Sequence, residues 1–449
     1  MQIRGISSEY YSLRQNHLSR RSFNCTEKSS PPHTPFEKLN VTSGYNKFAN
    51  KLMEYDFDTI IDRTGSHDVK HELLGRRFGR EDLLPLWVAD MDFATPPFII
   101  DAIRKRLEHP ILGYTLPPEQ WGTSIQKWIA DHHQWTVKSH WLTYVPGVVK
   151  GIGIVVNAML KPEERVIIQP PVYHPFRITP EGNRHEVVNN PLKEIRGNDG
   201  RLKGYEMDFE GLERLAADPL NRLLILCNPH NPGGIVWSRE TLERVAKICA
   251  ANNVLVLSDE IHCDLALFGH KHIPFASVSA EAESCSITLG APSKTFNMAG
   301  VVSSYIIVPN EEIRRPLFRW MASNEFNEAH IFAPIATIAA FEEGEEWRRQ
   351  MLAYIEKNIT FVEDFLSDNI PAIKPLRPQA SFLVWLDCRG LGLTHAGLID
   401  LFVNKAHLAL NDGAMFGPGG EGFMRLNVAS PKSVLEKALQ ELKKATNKG

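Results

Sequence analysis

Lys294 lies in the stretch "APSKTFNMAG", just past the apolar run "CSITLG". Lysine is among the residues least often buried, and desolvating its ammonium is costly unless the group is paired, neutralised or put to chemical use. Other polar residues stand at the same place after other apolar runs. "RVIIQPP" leads to Tyr173, and "RLLILCNP" leads to Asn228 and then to Asn231 in "HNPGG". "NVLVLSDE" ends on Asp259 and Glu260, with His262 just beyond. Each residue has a plain structural explanation: a lysine snorkelling from a turn, a capping acid, a packed loop tyrosine, an Asn-Pro turn. The repetition at successive run ends is what asks for chemistry.

The elements that must position them follow from the pattern. Short runs that are apolar on both faces suit parallel strands covered by helices. Between two of them, "SRETLERVAKICAANN" offers Ser238 as an N-cap and sets Leu242, Val245, Ala246 and Cys249 on one helical stripe. This βαβ alternation predicts an α/β domain, whose ligand site lies outside the carboxyl ends of the strands. "YVPGVVKGIGIVVNAML" reads as a strand, a Pro-Gly turn and a buried helix. The amides of Val148, Val149 and Lys150 at that helix start make an anion site. A lysine, a carboxylate, an amide, an aromatic ring and an anion cradle together match pyridoxal 5′-phosphate. The lysine forms a Schiff base with its aldehyde, the carboxylate keeps its pyridine nitrogen protonated, and the helix start holds its phosphate.

The segments "NPHNPGG", "SDEIH" and "APSKTFNMAG" resemble the large domain of fold-type-I, class I/II aminotransferase-like enzymes. "LPLWVADMDFATPP", "GYT", "PPVYHPF" and "LNDGAMFGPGGEGFMRLN" narrow the resemblance to the cystathionine β-lyase branch, the MalY/PatB type. It runs from about residue 55 to the C-terminus. It implies a large domain with a mostly parallel sheet sandwiched by helices, over residues 96–340, and a smaller α+β domain over 341–449. Residues 55–95 would contribute to the small domain. It further implies that Lys294 is the Schiff-base lysine and the acid/base at Cα, that Asp259 pairs with the pyridine nitrogen, that Asn231 bonds the phenolic oxygen, and that Tyr173 stacks on the ring. Val148, Val149 and Ser293 would help hold the phosphate, with Tyr114 reaching it from the neighbouring subunit of a homodimer. His262 would support the cofactor, and Arg425 would clamp the substrate carboxylate. The implied activity is α,β-elimination from L-cystathionine or a related amino-acid thioether. Three positions depart from common patterns. His262 stands where many aminotransferases of this fold carry tyrosine, Val302 where many carry a phosphate-binding arginine, and His71 where the branch leads one to expect tryptophan. The first two fit a lyase better than an aminotransferase, which is the nearest alternative.

The rest of the chain bounds the reading. Its 449 residues suffice for two or three domains, and a formal net charge of −3 gives no basic footprint for nucleic acid. A regulator that senses the same cofactor would need a DNA-binding helix-turn-helix ahead of the domain, and residues 1–54 lack the required periodicity. A nucleotide-binding oxidoreductase is weaker still, since the third glycine of G-x-G-x-x-G would fall on Val156. No apolar run approaches membrane-spanning length. Six scattered cysteines, without a Cys-x-x-Cys pair, suit a reducing compartment and a cytoplasmic enzyme without a metal site. Residues 1–54, rich in Ser, Asn and Arg, read as a disordered leader.

Overall fold

The apolar runs form strands buried along most of their length, as strands covered on both faces must be. The computed structural model describes residues 54–447, so the expected leader and Cys25 lie outside the described residues. The central sheet has seven strands, in the order Leu142–Val145, Ser304–Ile307, Ser286–Gly290, Leu255–Asp259, Asn221–Cys227, Arg165–Ile168, Val187–Asn189. Ser304–Ile307 is antiparallel to both neighbours, and the remaining pairs are parallel. Cys227 pairs with Asp259, and Asp259 with Leu289. The loops that leave these three strands therefore start side by side on one edge.

Helices cover the sheet as their caps and stripes require. Arg239–Ala251 begins at Ser238, whose side chain accepts the Thr241 amide at 3.2 Å, and it buries Leu242, Val245, Ala246 and Cys249. Such a cap is worth about 1 kcal/mol. Val148–Met159 lies so close to the sheet that a Cβ on Gly151 would meet Leu289 at 2.8 Å. Phe332–Glu343, alanine-rich and buried on most sides, packs against Pro97–Leu107 and Glu119–His133.

The 25-residue helix Glu345–Asn369 buries Met351, Ile355, Ile359, Val362 and Leu366. It leads to an antiparallel sheet in the order Lys374–Leu376, Leu383–Asp387, Phe423–Asn427, Asn411–Asp412, followed by the helix Lys432–Asn447. Leu84–Pro85 pairs in parallel with Leu408–Ala409, so an early segment joins the C-terminal part of the chain. The stretch "AGLIDLFVNKA" lies in a helix that runs as α over His395–Asp400 and widens to π over Leu401–Lys405. The five described cysteines are free thiols in buried positions. No helix among the described residues is long and apolar enough to cross a membrane.

Candidate active site

Four strand ends and one strand of the small sheet deliver the polar residues to the candidate site. Asp259 is the last residue of its strand and is buried. Its carboxylate accepts the Ile261 amide at 3.1 Å. Burial pushes its pKa up to about 7, the Glu260 charge adds to the rise, and the Lys294 charge opposes it. Adjacent Glu260 has a different fate. Its carboxylate takes hydrogen bonds from Ser258, His272 and the Phe275 amide at 2.8–2.9 Å, which spends it on structure.

Lys294 follows the strand Ser286–Gly290, and its Nζ donates to the Ala89 carbonyl at 2.5 Å. Burial pushes the ammonium down to about 8. Asn231 is buried, and its carbonyl oxygen in the main chain accepts the Tyr173 amide at 3.0 Å, tying two neighbouring strand-end loops together. Burial raises the Tyr173 phenol above its ordinary value, while the Arg425 charge works against that rise.

Arg425 reaches the same place from the strand Phe423–Asn427. Its guanidinium donates to the side-chain oxygens of Asn231 at 3.0 Å and Asn411 at 2.6 Å, and to the Trp87 carbonyl at 3.2 Å. It also lies over the Phe416 ring at 4.9 Å. Burial lowers its pKa to about 10. His262 is buried one turn beyond Asp259, and burial together with the Lys294 and Arg425 charges pushes it down to about 3. That imidazole is neutral at any physiological pH.

The expected anion cradle is the start of the helix Val148–Met159. Gly147 caps Val148–Met159 at φ 106°, a left-handed-side conformation that glycine adopts without a Cβ penalty. The first helical hydrogen bond runs from the Gly151 amide to Gly147, which leaves the amides of Val148, Val149 and Lys150 free of helical partners. Val148 is buried and Val149 is partly exposed. The Tyr144 hydroxyl donates to the Val302 carbonyl at 2.9 Å, and Ser293 donates to the Ser303 carbonyl at 3.2 Å. The Lys294 loop and the helix start are thus fastened to the same short segment. Tyr114 lies elsewhere. It is fully exposed, in a stretch where Ile111, Leu112 and Leu116 are exposed as well. His71 is on the surface, where its ring meets Asp68 at 2.9 Å.

Two buried cations and one buried carboxylate therefore lie within electrostatic reach of one another. Among the described residues, none of Lys294, Arg425 or Asp259 makes an ion pair within 4.0 Å. The buried Nδ1 of His262, Nε of Arg425 and side-chain oxygen of Asn228 have no hydrogen-bond partner. Buried charge without an ion-pair partner is costly, so this cluster of groups suits a polar, charged guest. Pyridoxal phosphate fits that donor set: an aldehyde for the amine, a protonatable ring nitrogen for the carboxylate, a phosphate for the free amides.

The contacts of Lys294 with Ala89, and of Arg425 with Trp87 and Asn411, were not legible beforehand. Backbone carbonyls leave no mark on residue type. The available signal was the alternation of apolar and acidic residues in "WVADMDF", which marks an extended segment with two faces.

The fold and this set of groups define a pyridoxal-phosphate-dependent enzyme of fold type I. A family model for aminotransferase class I and II matches residues 81–442, and the chain belongs to that family. It is 42% identical over 390 residues to cystathionine beta-lyase PatB of Bacillus subtilis, covering 87% of this chain and 99% of that protein. Among solved structures it is similar to cystalysin from Treponema denticola, which contains pyridoxal 5′-phosphate, with a TM-score of 0.83 and 34% identity over 88% of this chain and 100% of that one. It is also similar to the pyridoxal-phosphate-bound C-S lyase from Staphylococcus hominis, with a TM-score of 0.81 and 32% identity over 88% of this chain and 98% of that one. The expected fold class and cofactor hold.

Proposed function

We propose that the protein is a pyridoxal-phosphate-dependent carbon–sulfur β-lyase that cleaves L-cystathionine or a related cysteine S-conjugate to a thiol, pyruvate and ammonia. The observation that carries this reading is the cluster in which Lys294, Asp259 and Arg425 are buried near one another without an ion pair. The named C-S lyases that match across almost their whole length support the reaction class.

Lys294 would hold the cofactor, with Asp259 at its ring nitrogen, Asn231 at its phenolic oxygen, Tyr173 on its face and His262 in support. Ser293 and the amides of Val148 and Val149 would take its phosphate. Bound there, the cofactor supplies an electron sink for negative charge at the substrate's Cα. Arg425 clamps the α-carboxylate, a planar task suited to a guanidinium. Asn231 and Asn411 hold that guanidinium in plane. The free Lys294 amine takes the Cα proton at Nζ. The electron pair left at Cα expels the thiolate from Cβ, a competent leaving group since a cysteine-like thiol has a pKa of about 8.5. The remaining three-carbon fragment hydrolyses to pyruvate and ammonia. Neutral His262 adds no charge that would compete with Asp259.

The chain would act as a homodimer, with Tyr114 completing the neighbour's site. The support is a fully exposed Tyr114 flanked by exposed Ile111, Leu112 and Leu116, an apolar patch of the kind that marks protein contacts. The buried free thiols support a reducing, cytoplasmic setting. The test of the reading is covalent. Borohydride reduction of the yellow, cofactor-loaded protein is expected to leave the adduct on the peptide carrying Lys294. An adduct on another lysine, or none, overturns it.

A further inference from the structure

Just beyond Asp259 the chain builds a second buried cluster, which the proposed reaction leaves unused. Cys263 and Asp264 open the short 3-10 turn Cys263–Leu265, and both are buried. His133, the last residue of the helix Glu119–His133, meets them there. Its Nε2 lies 2.8 Å from Asp264 Oδ1, and only 8% of its side chain is exposed. One thiol sulfur, one imidazole nitrogen and one carboxylate oxygen thus lie within 4.8 Å of one another. His133 and Asp264 are 131 residues apart in sequence, which is why scattered cysteines without a Cys-x-x-Cys pair raised no expectation of a metal.

A second imidazole–carboxylate pair stands against the first. The His272 ring meets the His133 ring edge-on, with centroids 5.2 Å apart. The His272 side chain has no exposed surface, and its Nε2 donates to Glu260 Oε2 at 2.9 Å. Burial lowers its pKa below the ordinary imidazole value, so the ring is neutral and its Nδ1 carries a bare lone pair. That Nδ1 is buried without a hydrogen-bond partner, a costly arrangement. A ring that gives one N–H to a carboxylate and keeps its other nitrogen free is also how histidines are set for a metal shell. Among the described residues, no lysine or arginine lies within 4.0 Å of the Asp264 or Glu260 carboxylate, and each has an imidazole as its ion-pair partner.

We propose that His133, Cys263 and Asp264 form a binding site for a borderline divalent cation, zinc above all, with a water in the fourth position that donates to His272 Nδ1. Thiolate, imidazole and carboxylate are the ligand types that zinc takes. With Zn–N and Zn–O lengths of about 2.0 Å and a Zn–S length of about 2.3 Å, a tetrahedral shell sets its ligand atoms roughly 3.3–3.5 Å apart. Side-chain rotations that move the ligand atoms by about 1 Å close the cluster to that size. As the ion enters, the thiol proton leaves to solvent and the His133–Asp264 hydrogen bond gives way to two metal bonds. Magnesium and calcium, which take oxygen shells, do not suit this set. Asp264 also accepts Trp128 Nε1 at 2.9 Å and the Thr295 hydroxyl at 3.3 Å. Thr295 follows Lys294, so a bound ion braces the helix Glu119–His133 against the Lys294 loop. The site is structural, and none of its ligands is a group assigned to the cofactor or the substrate.

The probe is zinc(II) itself, added to the full-length, cofactor-loaded protein after chelator treatment and dialysis. Equilibrium dialysis with metal analysis is expected to find one tightly held ion per chain. Cys263→Ser nearly keeps the side chain's size and removes the thiolate, while His133→Gln can keep a hydrogen bond to Asp264 and removes the imidazole. Each should weaken zinc binding by at least about a hundredfold, the upper end of what losing a mere supporting contact costs. Cobalt(II) in place of zinc should show the strong visible bands of a tetrahedral, thiolate-bound ion in the parent and lose them in Cys263→Ser. Zinc should raise the unfolding temperature of the parent and leave that of Cys263→Ser where it was, and magnesium should raise neither. Retained cofactor absorbance checks the fold of both variants, and either one decides the matter if the other does not fold. An ion that the folded variants hold as tightly as the parent does is adventitious, on surface histidines or the cofactor's phosphate, and overturns the proposal. A parent that binds no zinc, or a cobalt spectrum without a thiolate signature, overturns it as well.

Discussion

Asp259→Asn should make the cofactor-free protein more stable while crippling the loaded enzyme. Asp259 is buried, and its pKa rises from 3.8 to about 7 because desolvation penalises its charge. Folded, it holds its proton more tightly than unfolded. Below pH 3.8 both states are protonated and the group is neutral to stability. Between there and about pH 7 the unfolded chain ionises while the folded one does not, so stability falls. Above about 7 the loss has levelled off. About three pH units at about 1.4 kcal/mol each gives roughly 4 kcal/mol lost by pH 8. Asparagine has nearly the same volume and no charge to desolvate. The cofactor-free variant should therefore unfold at higher urea than the cofactor-free parent, by a small margin at pH 5 and by up to about 4 kcal/mol at pH 8. With cofactor the order reverses. The parent's carboxylate gains the ring nitrogen as its partner, whereas the variant binds the cofactor more weakly and turns over far more slowly. A cofactor-free variant that is no more stable than the parent at pH 8 would refute the claim that Asp259 is an uncompensated charge awaiting a partner.

Two further perturbations separate the remaining roles. Arg425→Lys keeps a cation but loses the fork now engaged with Asn231, Asn411 and Trp87. It should raise KM at least tenfold, since charge-assisted bonds are worth about 1.5–3 kcal/mol each, and steady-state kinetics with an unchanged KM would contradict the carboxylate clamp. Mixing Tyr114→Ala with Lys294→Ala chains should restore activity, because one site in the mixed dimer receives both intact residues; an inactive, confirmed heterodimer would place Tyr114 in its own chain's site or in none.

How far residue pattern reached depended on what kind of contact made each feature. The helix Arg239–Ala251 was legible because its cap and its stripe are side-chain properties, and both stand where expected. The strand ends that carry Asp259 and Lys294 were legible because a run apolar on both faces must be buried and must end in a polar turn. Ser304–Ile307 was not. It enters the sheet antiparallel between two strands from distant parts of the chain, an order set by tertiary pairing and not by local pattern. Phe332–Glu343 carries no local signal for a related reason: alanines buried on most sides leave no amphipathic stripe. At the site, charged residues were found by their chemistry, whereas their resting partners, the carbonyls of Ala89 and Trp87, belong to a backbone common to all residues. Lys70 shows the same limit from the other side, since nothing near it in sequence marks it as a lysine buried against Asp92.

The reaction itself is the most direct test of the account. Purified, cofactor-loaded protein is incubated with L-cystathionine and no added keto acid, and thiol, pyruvate and ammonia are measured together over the first turnovers. Lysine at the Cα proton, guanidinium at the carboxylate and a thiolate at Cβ predict homocysteine, pyruvate and ammonia in equal amounts, with the cofactor unchanged at the end. Turnover that requires a keto acid, releases no thiol and leaves the cofactor as pyridoxamine phosphate would contradict elimination and make the protein an aminotransferase.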